Sequence, residues 1–188
     1  MYINLLFTVL RTWPLYLIFL YKSYVIKDEY ALRWKKDVLR LKESRFFFVL
    51  SIRPYYRNLF YLRFKLPISL CIHLFGGENV AIPRIDIGEG CYLEHPHGTH
   101  LNAVRIGKNF KCYHNVTIGN NHGGIPIIGD NVTIGCGACV LGPIRIGNNV
   151  NIGANSVITK SVPDNCTVIG NPAYIIKHNG KKVYLTLT

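Results

Sequence analysis

The 188 residues carry 22 Lys and Arg against 10 Asp and Glu, a net charge of +12, and nearly half the side chains are apolar. That length holds one domain with an appendage, and that apolar share supports a sizeable core. The basic and aromatic surplus comes with no nucleic-acid-binding motif, so no nucleic acid partner is expected.

The charge is uneven along the chain. Residues 1–75 hold 13 basic and 4 acidic side chains, a net of +9, and 18 of the 23 aromatics. Two readings of this block stay open. One is a helical cap whose aromatics form its own core and whose charges are solvated. The other is a contact with a membrane surface, where Trp and Tyr favour the headgroup layer and Lys and Arg attract anionic lipid. Ile3 to Leu10 and Leu15 to Leu20 are apolar, but Arg11 and Pro14 interrupt them. The stretch falls short of the roughly 20 apolar residues of a spanning helix, and an interfacial or packed helix is expected. It has neither a basic start nor a small-residue cleavage site, so no export signal is expected and the chain reads as cytoplasmic. Residues 28–44 read as a helix that Asp28 caps. Residues 46–75 form a second apolar and basic stretch, punctuated by Pro54 and Pro67. Gly76-Gly77 marks the end of this N-terminal segment, 1–77.

A six-residue rhythm then takes over. It is clearest from Ile128-Gly129-Asp130-Asn131-Val132-Thr133 through Ile134, Val140, Ile146 and Ile152, each opening a new unit. A branched apolar residue comes first, Gly often follows, and a small or β-branched residue stands fifth. This period fits neither a 3.6-residue helix nor a two-residue alternation. It fits a β-helix, in which three hexads close one triangular coil. The opening residues point inward and stack on counterparts 18 residues away, and Gly and Asn take corners that need positive φ.

Two departures break the rhythm. Ile87-Gly88 and Ile106-Gly107 are 19 apart, with the extra residue in Glu94-His95-Pro96-His97-Gly98-Thr99-His100. Ile106 and Ile128 are 22 apart, and the surplus falls in Gly119 to Pro126, which must bulge out as a loop. Departures from a rigid scaffold are where a site can be built, and both carry histidine. A neutral imidazole is a suitable general base for a hydroxyl, and Glu94 can orient it or bind a substrate group. After Pro163 the coils are expected to end, and Gly170-Asn171-Pro172-Ala173 leads into a polar tail at 177–188. The six cysteines are scattered and read as free thiols. Cys136-Gly137-Ala138-Cys139 has a C-x-x-C spacing but lies within one hexad, where small-residue packing accounts for it.

Leu93-Glu94-His95-Pro96-His97-Gly98-Thr99, then Val116-Thr117-Ile118-Gly119, the Gly-rich loop ending at Pro126, and Gly170-Asn171-Pro172-Ala173 resemble the serine acetyltransferase branch of the hexapeptide-repeat acyltransferases. The resemblance covers residues 78–176. It implies a left-handed parallel β-helix and a homotrimer, with a dimer of trimers left open, and acetyl-CoA bound between adjacent subunits. It also implies an O-acetyltransferase in which His95 is the general base beside Glu94. Acetyl-CoA contacts are implied at Gly119, Asn120, Gly135, Cys136, Gly153 and Ala154, with Lys160 and Lys177 toward its phosphates. No metal is expected.

The chain departs from that branch on the acceptor side. The Asp-Ile-His-Pro of the family reads Val80-Ala81-Ile82-Pro83 here, with Glu78 and Asp86 out of register. The loop ends Gly124-Ile125-Pro126 where the family has Arg-His-Pro, so no cation meets a carboxylate there, and His122 is the nearby polar side chain. L-serine and a sugar hydroxyl of a surface polysaccharide both stand as acceptors. Two further readings belong to other classes. A γ-carbonic-anhydrase-like zinc enzyme would use the H-x₄-H spacing of His95 and His100, with a third ligand near residue 59, where Leu59-Phe60 stands. A non-catalytic repeat scaffold would release no thiol from acetyl-CoA.

Overall fold

A computed structural model describes residues 13–21, 33–37, 55–66, 80–83 and 85–187. The chain divides into two compact units, Met1–Glu78 and Asn79–Thr188.

In the first unit, residues 13–20, 33–37 and Tyr55–Arg63 are helical. The last helix starts directly after Pro54, which suits a residue outside or at the first helical turn. Aromatic rings form the core. Phe60 stacks on Phe64 at 4.3 Å between centroids and meets Trp34 edge-on at 5.1 Å, while Phe19 meets the edge of Phe64. The charges are not all solvated, contrary to the cap reading. Arg63 donates to both carboxylate oxygens of Asp37, at 3.0 and 3.3 Å, and both side chains are buried. A buried carboxylate needs such a bidentate partner. The ends of the helix expected over 28–44, the Gly76-Gly77 boundary, Cys71 and Glu78 lie outside the described residues.

The second unit is a parallel β-helix of about five coils. Its first face stacks Val80–Ala81, Thr99–Leu101, Thr117–Gly119, Cys139–Leu141 and Val157–Ile158. The second stacks Asp86–Ile87, Arg105–Ile106, Ile127–Ile128 and Arg145–Ile146. The third stacks Tyr92–Leu93, Lys111–Cys112, Thr133–Ile134, Asn151–Ile152 and Cys166–Ile169. The hexad explains the prism. Ile128, Val132, Ile134, Ala138, Val140 and Ile146 are fully buried, so the first and fifth residues fill the interior. The sixth residue faces out from each strand, as Thr133, Arg145 and Asn151 do. Ile128 pairs with Ile146, 18 residues on.

Positive φ falls at the corners. Between the second and third faces these are Gly90, Asn109, Asn131, Asn149 and Asn165; between the third and first they are His95, Gly98, Asn115, Gly137 and Asn155. Asn109 donates to the Asn131 side chain, Asn131 to Asn149 and Asn149 to Asn165, at 2.9–3.0 Å. This ladder joins four successive coils at one edge.

The coils do not stop at Pro163. Cys166–Ile169 adds a parallel strand to the third face, with Ile152 opposite Val168. The expected tail is a β-hairpin. Tyr174–His178 pairs antiparallel with Cys166–Ile169, and Lys181–Thr186 pairs antiparallel with Tyr174–His178. Asn179 and Gly180 form its two-residue turn, both with positive φ.

Candidate functional site

The register locates both departures. Leu93 pairs with Cys112 and Leu101 with Ile118, so eight residues lead from the third face to the first where the next coil uses six. Two residues are therefore surplus in Glu94–His100, and the edge from Leu101 to Ile106 is short in return. The wider turn holds His95 out at the corner. Its side chain is 71% exposed, and its φ is +47°. Within the second unit, Asn is the residue at every other positive φ outside glycine, except at His122. Asn and His are both enriched among the non-glycine residues that adopt that conformation. Positive φ is nonetheless uncommon outside glycine, and such backbone positions gather at functional sites.

The turn is braced from within. Pro96 is buried, and the His97 amide donates to the His95 carbonyl at 2.8 Å. The Thr99 hydroxyl is 2% exposed, donates to the Tyr113 carbonyl at 3.1 Å and accepts from the Val116 amide at 3.3 Å. Glu94 is half-buried, and its Oε1 lies 3.4 Å from His95 Nε2. Asp86 is on the second face, opposite Arg105, and not at this corner.

Below His95 the corner continues through Tyr113 and His114 to the small residues of the two coils after them. The Asn115 amide donates to the His97 carbonyl, the Gly137 amide to His114 and the Asn155 amide to Cys136. Glu94, His95, Gly135, Cys136, Gly153 and Ala154 thus share one edge of the prism. The coils press together there. A Cβ on Gly135 would stand 2.6 Å from the Ala154 nitrogen, and one on Gly153 would stand 2.7 Å from Ile169 Cγ2. Coil packing therefore requires both glycines whether or not a ligand lies outside them.

Gly119, Asn120 and His122 sit elsewhere. They belong to the loop at the opposite edge of the first face, where the Gly142 amide donates to the Gly119 carbonyl. The loop is a tight hairpin in which Asn121 and Gly124 exchange backbone hydrogen bonds at 3.0 and 3.3 Å. His122 and Gly123, at φ +51° and +81°, supply its turn. Its residues 120–126 contain no Lys or Arg.

Lys160 donates to the Leu187 carbonyl at 3.0 Å. It lines a cavity of about 430 Å³ together with Asn171, Pro172, Tyr174, Tyr184 and Leu187. The Tyr174 and Tyr184 rings lie 4.4 Å apart. Lys177 is exposed on the hairpin opposite Thr167. Sequence reasoning missed the part of the C-terminal strand in this cavity, although Asn179-Gly180 between two apolar runs was the signal for it.

Cys136 and Cys139 are half-buried free thiols, the latter facing out in register with Thr117 and Val157. His97, His100 and His114 are exposed. Leu59, where a third zinc ligand was to stand, is fully buried. Among the described residues no three His, Cys, Asp or Glu side chains converge.

The family described as bacterial transferase hexapeptide (six repeats) matches residues 125–160. The chain is a hexapeptide-repeat protein. It is similar to the serine acetyltransferase of Staphylococcus xylosus, 41% identical over 124 residues that cover 62% of this chain and 56% of that one. The chain thus matches little more than half the length of this curated relative. The hexapeptide-repeat fold also superposes on solved structures. The serine acetyltransferase of Neisseria gonorrhoeae in complex with serine matches with a TM-score of 0.68 at 26% identity, over 81% of this chain and 71% of that one. The Brucella abortus serine acetyltransferase in complex with coenzyme A matches with a TM-score of 0.67 at 27% identity, over 81% and 69%.

Proposed function

We propose that this hexapeptide-repeat protein is an acetyl-CoA-dependent O-acetyltransferase with His95 as its general base. The observation that carries this reading is the exposed His95 beside Glu94 on a widened coil turn, in a chain similar to serine acetyltransferases. His95 removes the proton of an acceptor hydroxyl, and the oxygen attacks the thioester carbonyl. The carbon–sulfur bond breaks as the tetrahedral intermediate collapses, and the imidazolium returns its proton to the departing thiolate. Glu94 stabilises that imidazolium while it exists. Backbone N–H groups of the adjoining coils are suited to the oxyanion. No covalent enzyme intermediate is required.

The site takes two copies. His95 and Gly119 lie on opposite edges of the first face, and the acetyl-CoA contacts implied by resemblance divide between those edges. A face of about six extended residues is about 20 Å wide, too far for one side of a subunit to close on a reacting centre. A trimer in which the corner of one protomer faces the loop of the next brings both sets together. Such an enzyme works in the cytoplasm, on its acetyl-CoA. For the acceptor, similarity favours L-serine, while the loop without a cation favours a sugar hydroxyl. A thiol-release assay with acetyl-CoA against L-serine and a panel of sugars decides between them. Release with neither class would remove the acetyltransferase reading.

A further inference from the structure

We propose that the N-terminal helix lays an exposed aromatic stripe on an anionic lipid surface. Trp13, Leu17 and Tyr21 recur every fourth residue and are 50%, 50% and 57% exposed. At about 100° per residue this spacing puts all three on one side. Leu15 and Phe19 lie on the opposite side and are buried, Phe19 against Phe64. The helix therefore has an inner apolar face that its own unit covers and an outer one that faces solvent. An outer face of one Trp, one Leu and one Tyr has the composition of an interfacial helix, since both ring types settle at the headgroup level. No helix among the described residues is long and apolar enough to cross a membrane.

Charge selects the occupant. Residues 1–75 carry a net +9, and Arg11 and Lys22 border the helix in sequence. Asp37, one of the four acidic residues of that block, is already matched by Arg63 in the interior. A second copy of the block would bring +9 against +9, whereas anionic headgroups neutralise it. Lipid contact and acetyl transfer rest on different residues, so either can fail alone.

The tryptophans supply a test that needs no substitution. Of the two, Trp34 is 1% exposed and Trp13 is 50%. The full chain is mixed with vesicles of phosphatidylcholine, with and without phosphatidylserine, in which the acyl chains carry bromine. Quenching of the exposed indole only when phosphatidylserine is present, weakening as salt is raised, is the expected result. Partitioning of Leu17→Ser/Tyr21→Ser onto the same vesicles should fall about tenfold or more, with thiol release from acetyl-CoA unchanged. Absence of quenching on both vesicle types overturns the proposal. So does a larger oligomer that forms without lipid and is dissolved by the double substitution, which would assign the stripe to a second copy.

Discussion

At Thr99 a buried hydroxyl stands in register with the apolar Val80 of the preceding coil. It ties the widened turn to the next coil through the Tyr113 carbonyl and the Val116 amide. Thr99→Val keeps the shape and strands both backbone groups, so it should cost about 1–3 kcal/mol, read as a lower denaturation midpoint. The cysteines divide by position. Burial first, and then the neighbouring Cys91, push the Cys112 thiol well above its ordinary 9.0. In the unfolded chain that thiol ionises first as pH rises, so its contribution to stability is complete below pH 9.0 and is lost as pH climbs beyond it. Denaturation midpoints measured across alkaline pH should fall for the native sequence and fall less steeply for Cys112→Ala. A thiol reagent should label the half-buried Cys136 and Cys139 in the folded protein and leave Cys112 untouched.

The coil corner and the hairpin are the elements that give this chain its form. At Asn149 the corner combines a φ of +56° with two rungs of the side-chain ladder. Asn149→Gly loses the rungs and keeps the backbone, whereas Asn149→Ala loses both. Ala should therefore be the less stable variant by about 1 kcal/mol, measured by denaturant unfolding. The loop hairpin rests on the following coil, where a Cβ on Gly124 would stand 2.6 Å from Pro143 Cβ. These elements were unequally legible. Ile128, Ile134, Ile146 and Ile152 announced the prism because a stacked interior repeats its demands at every coil. The loop at 119–126 was legible as surplus length. The second extra residue at Glu94–His100 was hidden, because the short edge at Leu101–Ile106 compensates it and counting from Ile87 to Ile106 sees only the difference. The buried Asp37–Arg63 pair left no local pattern, since its partners lie 26 residues apart.

At the scale of the whole molecule, the proposed division of the site between two edges would make assembly part of the chemistry. His95→Ala and His122→Ala homo-oligomers should each be impaired, and mixed oligomers should regain activity at the interface that pairs an intact corner with an intact loop. Activity that only ever equals the weighted mean of the parents would place the whole site within one protomer. What the sequence could not provide was this geometry, because hexads repeat on every face and do not say which edge a residue occupies until the register is known. The most direct measurement is thiol release from acetyl-CoA by the native protein and by His95→Ala, with the responding hydroxyl acceptor present. General-base action is worth about 10²–10⁴-fold, so a loss of that size with the β-helix intact by circular dichroism is the predicted result. Undiminished turnover by His95→Ala would contradict it.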